Sequence, residues 1–150
     1  MRLKFIIALL LVGGALSAQV RPWKKQTIPV STPWFEDISP ENVWPEYPRP
    51  QLERTEWMNL NGIWKLKQDT KGELTMPVDF SSYREILVPF PVESALSGVM
   101  LQRQRHVWYT RNFTIPDSWT GKRIMINFGA VDWESEVFIN GQSVGVHRGG

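Results

Sequence analysis

Residues 133–148 alternate between apolar and polar side chains on both sides of a short turn. In residues 133–139 the odd-numbered positions share one side of an extended chain, and the even-numbered positions, including two glutamates, share the other. This two-residue period is typical of a half-buried strand. Residues 144–147 alternate in the same way, and Asn140-Gly141 between the two stretches suits a type I′ turn, which needs positive φ at both central residues. The pattern predicts an antiparallel β-hairpin.

Other stretches of the chain show the same period. They are residues 63–67, 85–88, 106–116 and 123–128. Between them, 70–83 and 94–105 have the composition of loops, and 117–121 that of a turn. After the first 18 residues the sequence shows no helical period, apart from one candidate turn near residues 93–97. Short strands separated by turn signals predict an all-β fold, an antiparallel sandwich or barrel.

The first 18 residues differ from the rest of the chain. Arg2 and Lys4 precede an unbroken apolar run over residues 5–12, and small residues lead to Ala18-Gln19. This order is typical of a secretory signal peptide cleaved near Ser17 or Ala18. The alternative is a membrane anchor, but the apolar run is shorter than the ~20 residues that span a bilayer. We therefore expect an exported protein, periplasmic or extracellular.

Residues 19–56 are rich in proline and tryptophan. Proline at this density is incompatible with a continuous helix or a central strand. Since exposed tryptophans are costly, we expect an extended segment that lies across the surface of a domain and docks its aromatic rings there. The sequence thus divides into a signal peptide at 1–18, this segment at 19–56 and a β-sandwich domain at 57–150.

Charge and cysteine content narrow the class of protein. The chain has 17 Lys and Arg and 15 Asp and Glu, but Arg2 and Lys4 belong to the leader, so the remainder is formally neutral. A cationic surface for nucleic acid is therefore not expected. The sequence contains no cysteine, which excludes disulfides, thiol catalysis and cysteine-ligated metals. We expect no cofactor.

Glu134 and Glu136 are a closely spaced carboxylate pair in the predicted domain. At positions i and i+2 of one strand, their side chains would lie roughly 6.5–7 Å apart on the same face. Enzymes that cleave glycosidic bonds with two carboxylates place them on opposite sides of the scissile bond, in a cleft. Neighbours on one strand face cannot do this, so a solvated face is the favoured interpretation.

His106 and His147 are the two histidines of the chain. Neither stands in a metal-binding or catalytic-triad pattern, so structural roles are favoured. Asn112-Phe113-Thr114 fits the N-glycosylation sequon, although the predicted strand there argues against its use. Trp108, Trp119 and Trp133 are candidates for stacking on sugars, but tryptophan is buried on average, and a core role is favoured for most of them.

Three stretches together resemble the N-terminal sugar-binding domain of glycoside hydrolase family 2, which includes β-galactosidases, β-glucuronidases and β-mannosidases. They are RTEWMNLNGIWKL, ILVPFPVESALSG and VWYTRNFTIPDSWTGKRIMINFGAVDWESEVFINGQSVGVHRGG. The resemblance covers about residues 45–150. It implies a jelly-roll, galactose-binding-like antiparallel β-sandwich, which we expect to be incomplete at its C-terminus.

The resemblance also implies where catalysis takes place. In the family, an immunoglobulin-like sandwich and a TIM barrel follow this domain, and the catalytic glutamates lie in the barrel. No catalytic, cofactor-binding or metal-binding residue is therefore assigned in this chain, and its substrate-binding residues stay unassigned.

Three functions remain open at this point. The favoured hypothesis is an accessory, non-catalytic fragment of an exported, β-galactosidase-like enzyme that hydrolyses O-glycosyl bonds and docks on its own catalytic domain. The alternatives are a free-standing carbohydrate-binding module with a tryptophan platform, and a sandwich that mediates protein contacts. The partner expected for the whole enzyme is a β-glycoside.

Overall fold

The computed structural model describes residues 19–149. The predicted signal peptide at 1–18 lies outside these residues. Among the described residues, no helix is both long and apolar enough to cross a membrane.

Strands dominate the regular structure. The strands are β1 (Val20–Arg21), β2 (Gly62–Gln68), β3 (Tyr83–Val88), β4 (Val107–Thr110), β5 (Glu134–Ile139) and β6 (Gln142–Arg148). The helical elements in 19–149 are a single turn, α1 (Trp34–Asp37), and the 3₁₀ turns Pro50–Leu52 and Asp117–Trp119. The all-β, antiparallel fold class is confirmed, and α1 is the helix that the period analysis missed.

Four strands form one sheet in the order β1-β3-β2-β4. β2 lies in the middle and pairs antiparallel with β3 on one side and β4 on the other, while β1 adds a short parallel edge to β3. The alternation of side chains along β2 sets which face of the strand points into the core. Leu66 is buried, while Lys65 and Lys67 on the opposite face are only half-buried.

The main core lies between one face of this sheet and the loop that follows β3. Leu66 and Ile86 from the sheet pack with Val92 and Val99 from the loop, and all of them are buried. Full burial of such a side chain contributes roughly 1.5–3 kcal/mol. The loop is closed by the buried Ser97, whose hydroxyl donates to the Ser94 carbonyl at 2.7 Å.

β5 and β6 form the predicted hairpin as a separate two-stranded sheet. Asn140 and Gly141 have φ of 49° and 80°, so the type I′ turn is confirmed. The return strand departs from simple alternation, because Val137 pairs with Gly145 whereas the next residue of β5 pairs with Ser143. Val144 is therefore the extra residue of a β-bulge, and the faces of β6 shift by one position there.

The proline-rich segment docks on the edge of the four-stranded sheet through Trp23. The Trp23 backbone N–H donates to Glu85 Oε2 at 2.9 Å, and its indole N–H donates to the Leu96 carbonyl at 3.0 Å. Trp34 differs from the expectation, since it is 73% exposed. It lies on the single turn α1, which buries no residue, so its ring has no surface to dock on.

One predicted strand is shorter than expected, and another is missing. β4 ends at Thr110 rather than near residue 116, and Phe113 and Ile115 beyond it are exposed. Residues 123–128 form no strand, and Ile124 and Phe128 are 45% and 48% exposed. The physical reason is pairing: a strand needs a hydrogen-bonding neighbour, and within 19–149 neither stretch has one.

Candidate functional site

The predicted carboxylate pair lies on the exposed face of β5. Glu134 accepts a hydrogen bond from Arg148 Nε at 2.6 Å, and Glu136 accepts one from the Ser143 hydroxyl at 2.6 Å. Both partners stand on β6, so each carboxylate is tied across the hairpin rather than directed at a shared cleft. The two groups support the hairpin and have the solvated placement that the alternation predicts.

The two histidines lie in different parts of the fold and contact different residues. The His106 carbonyl accepts the backbone N–H of Asp69 at 3.0 Å, and its ring covers Gly72, where an added Cβ would lie 3.1 Å from Nε2. His147 stands on β6, with its ring beside Gly149. Within residues 19–149, no group of three or more His, Cys, Asp or Glu side chains could hold a metal ion.

Asp69 is a buried carboxylate that the sequence reading missed. Its Oδ1 accepts the backbone N–H groups of Gly72 and Glu73 at 2.8 and 3.1 Å, and its Oδ2 accepts that of Leu74 at 2.9 Å. Burial alone would raise the pKa of Asp69, but these backbone donors lower it, and the net pKa is below its ordinary value of 3.8. The signal was present as an Asp followed three residues later by Gly, a typical turn sequence.

A shallow depression of about 240 Å³ lies at the start of β2, next to the end of β4. Its charged side chains are already engaged. Glu85 accepts the Trp23 N–H, Lys65 Nζ lies 4.6 Å from the centroid of the Tyr83 ring, and Arg111 donates to backbone carbonyls at 2.6 and 2.7 Å. Arg111 thereby positions the chain that enters β2. The depression offers few free polar groups to a ligand.

The sequence-predicted stacking candidates are not brought together by aromatic contacts within 19–149. Trp108 on β4 packs against Phe138 on β5, with ring centroids 5.8 Å apart, and so links the two sheets. Trp119 lies half-buried in a 3₁₀ turn, whereas Trp133 is 64% exposed. Of the three, Trp133 alone presents most of its surface. The sequon residue Asn112 is exposed and lies beyond the end of β4, not in a regular strand.

Tryptophan at position 44 combines exposure with an uncommon backbone conformation. Trp44 is 51% exposed and has a φ of 46°. Its ring contacts Phe90 edge-to-face, with centroids 5.3 Å apart. The sequence predicts Trp44 only as one of the docking aromatic residues of 19–56, because no sequence pattern indicates a positive φ at tryptophan.

Comparison with known proteins finds relatives that are β-glucuronidases and β-galactosidases. The chain is 32% identical over 120 residues to a β-glucuronidase of Felis catus and 28% identical over 109 residues to one of Paenibacillus borealis. These matches cover 69% of this chain and 18% of each relative. A β-galactosidase of Thermoanaerobacter pseudethanolicus is 37% identical over 96 residues, covering 62% of this chain and 13% of that protein. The chain therefore spans less than a fifth of the length of the relatives it matches.

The family profile described as glycosyl hydrolases family 2, sugar binding domain, matches residues 72–150, more than half of the chain. The matched range includes β3, β4 and the whole β5–β6 hairpin with its Asn140-Gly141 turn. The resemblance inferred from the sequence is thus confirmed, and this chain belongs to glycoside hydrolase family 2 through that family's sugar-binding domain.

Proposed function

We propose that this chain is the accessory, sugar-binding part of an exported enzyme that hydrolyses O-glycosyl bonds in β-glucuronides or β-galactosides. The observation that carries the proposal is the family match over residues 72–150, together with relatives that are β-glucuronidases and β-galactosidases. Because the matched stretch is 18% of the β-glucuronidases, the proposal places catalysis in another part of a longer polypeptide. This domain would contact the catalytic domain of the same polypeptide.

The non-catalytic role is supported by the arrangement of the hairpin carboxylates. Glu134 and Glu136 share one exposed strand and are each bonded across the hairpin, to Arg148 and Ser143. A glycosidic bond cannot lie between two groups on the same face of one strand. The description of the matching family as a sugar binding domain supports carbohydrate binding as the domain's contribution.

The test compares the 150-residue chain with a product that includes the coding sequence beyond codon 150. We expect the chain alone to leave p-nitrophenyl β-D-glucuronide, β-D-galactoside and β-D-mannoside uncleaved, and the longer product to cleave the glucuronide or the galactoside. Hydrolysis by the chain alone that disappears in Glu134→Gln or Glu136→Gln would overturn the accessory role. A longer reading frame without a glycosidase activity would overturn the enzyme assignment.

Export is supported by the signal-peptide pattern of residues 1–18 and is tested separately. Expressed in a bacterium with its leader, the protein should be found outside the cytoplasm with a new N-terminus near Ala18 or Gln19, as read by mass spectrometry. A periplasmic product that retains Met1 would contradict cleavage.

A free-standing carbohydrate-binding module is the second candidate. Its supporting observation is the exposure of two tryptophans, Trp34 at 73% and Trp133 at 64%. A stop codon directly after codon 150, with sugar binding by the chain alone, would favour this candidate over the enzyme part.

A further inference from the structure

Trp44 adopts a backbone conformation that its side chain and its neighbour both disfavour. Its φ of 46° lies in the left-handed region, which is a genuine outlier for a bulky residue. In addition, the following residue is Pro45, and a residue before proline is pushed towards extended conformations with negative φ. Such a conformation persists only where the surrounding structure enforces it, and enforced outliers concentrate at functional sites.

Side-chain hydrogen bonds hold the chain on both sides of this residue. Asn59 Nδ2 donates to the Trp44 carbonyl at 2.8 Å, and Asn61 Nδ2 donates to the Val43 carbonyl at 3.3 Å. The loop that supplies these amides is itself fixed, because Arg111 Nη1 donates to the Leu60 and Asn61 carbonyls. Nothing in regular secondary structure requires the conformation, in contrast to Asn140, whose positive φ belongs to the hairpin turn.

The enforced backbone presents an indole ring rather than burying it. Val43 is 4% exposed, whereas Trp44 directly after it is 51% exposed and contacts Phe90 edge-to-face. The indole N–H groups of Trp23 and Trp64 each donate to a backbone carbonyl, but that of Trp44 donates to no protein acceptor within residues 19–149. About half of the Trp44 residue surface is thus accessible to a ligand.

We propose that Trp44 is a carbohydrate-stacking residue that binds one face of a neutral pyranoside. The axial C–H groups of a pyranose form an apolar face that can lie flat on the apolar face of an indole ring. Glu41 and Glu46 are exposed in the same loop, and their carboxylates disfavour a negatively charged sugar there. Trp44 lies outside residues 72–150, so the family match does not assign it. The inference rests on the proposed carbohydrate function.

The indole N–H signals of the ¹⁵N-labelled 150-residue chain test this site directly. Trp44→Phe assigns the Trp44 signal by its disappearance and keeps an aromatic ring. Titration with methyl β-D-galactopyranoside should shift the Trp44 signal, whereas the Trp34 signal, from a more exposed ring on α1, should stay in place. Methyl β-D-glucuronide at the same concentration should give the smaller shift.

A shift at other tryptophans with none at Trp44, or no shift at all, would overturn the inference. The proposed function would still stand in that case, because it is tested by the activity of the longer product. A glucuronide shift equal to or larger than the galactoside shift would contradict the neutral ligand.

A pair of variants separates ligand binding from structural support. Trp44→Gly and Trp44→Ala both remove the ring, but only glycine adopts the left-handed conformation without strain. In the native chain the sugar should also shift the backbone amide signals of Asn59 and Phe90, which contact Trp44, and both variants should lose these shifts. The glycine variant should melt above the alanine variant by about 4–8 °C. Equal melting temperatures would show that the backbone at position 44 is not held under strain, and retained amide shifts in either variant would show that the ring does not bind the sugar.

Discussion

Gly98 lets the N-terminal segment lie directly on the loop after β3. Its φ is +79°, and an added Cβ would lie 2.3 Å from Trp23 Cδ1. Gly98→Ala would therefore displace the indole that donates to Leu96 and would also force alanine into the left-handed region. We expect a loss of about 2–4 kcal/mol in the free energy of unfolding, from overpacking and backbone strain combined. Urea denaturation measures this loss.

Gly121→Ala is the matched control for that prediction. Gly121 has the same φ of +79°, but nothing lies within 4 Å of its added Cβ. Its substitution should therefore cost only the backbone term, about 1–2 kcal/mol. Equal losses at positions 98 and 121 would contradict a specific contact between Gly98 and Trp23.

Asp69 makes the stability of the domain depend on pH in the acidic range. Because the pKa of Asp69 is lowered in the folded protein, its contribution to stability is present above the ordinary value of 3.8 and is lost as the pH falls through the folded value. Asp69→Asn should unfold at a lower temperature near neutral pH, since the amide cannot accept all three backbone N–H groups. It should also lose less stability than the native protein between about pH 6 and about pH 3, as measured by urea denaturation.

The exposed Glu46 provides the comparison for Asp69. Glu46→Gln should leave the melting temperature near neutral pH close to that of the native chain. If Asp69→Asn behaved in the same way as Glu46→Gln, the buried carboxylate would not be what holds residues 69–74.

Among the elements, the β5–β6 hairpin depends most clearly on its turn. Gly141 has a φ of 80°, and its nearest neighbour beyond the adjacent residues, Met76 Cε, lies 4.0 Å from an added Cβ. Gly141→Ala should therefore destabilise the domain through the backbone alone, by about 1–2 kcal/mol. Thermal unfolding of the purified variant checks this value.

Gly145 tests whether the effect belongs to the turn. It lies in β6 without a positive φ, and an added Cβ meets nothing within 4 Å. Gly145→Ala should be neutral or stabilising by about 0.5–1 kcal/mol, because alanine loses less entropy than glycine in a strand. Destabilisation at position 145 as large as at 141 would point to a general sensitivity of the hairpin.

For the molecule as a whole, the exposed apolar side chains of β6 are the feature that most favours association between chains. All seven residues of β6 are exposed, and Val144 and Val146 are 57% and 58% exposed. A two-stranded sheet also leaves backbone N–H and C=O groups unpaired along its edges, which promotes association between chains. We expect the chain to self-associate, and Val144→Lys with Val146→Lys to reduce this association in sedimentation velocity experiments.

Added charge alone could produce the same result, so a second double variant is required. Gln51→Lys with Thr55→Lys adds the same charge at exposed positions away from the hairpin. If this variant reduced association as much as the β6 variant, the apolar surface of β6 would not be its cause.

Local patterns were sufficient for much of the fold. The alternation of residues 133–139, the Asn140-Gly141 turn and the apolar face of β2 predicted elements that the structure contains, because period and turn chemistry depend on neighbouring residues alone. Family membership likewise followed from the order of sequence blocks. The division of the chain at residues 18 and 56, export and the accessory role stay predictions.

Other features depend on contacts between residues far apart in sequence, and tertiary structure alone decided them. Residues 123–128 have the pattern of a strand but no partner within 19–149, since pairing is a property of two segments rather than one. The left-handed backbone of Trp44 is held by the side-chain amides of Asn59 and Asn61, which lie 15 and 18 residues from the carbonyls of Trp44 and Val43 to which they donate. Local sequence patterns could therefore not decide whether a tryptophan is docked and half-buried like Trp23 or half-exposed like Trp44, because burial is set by which segments fold back onto the ring.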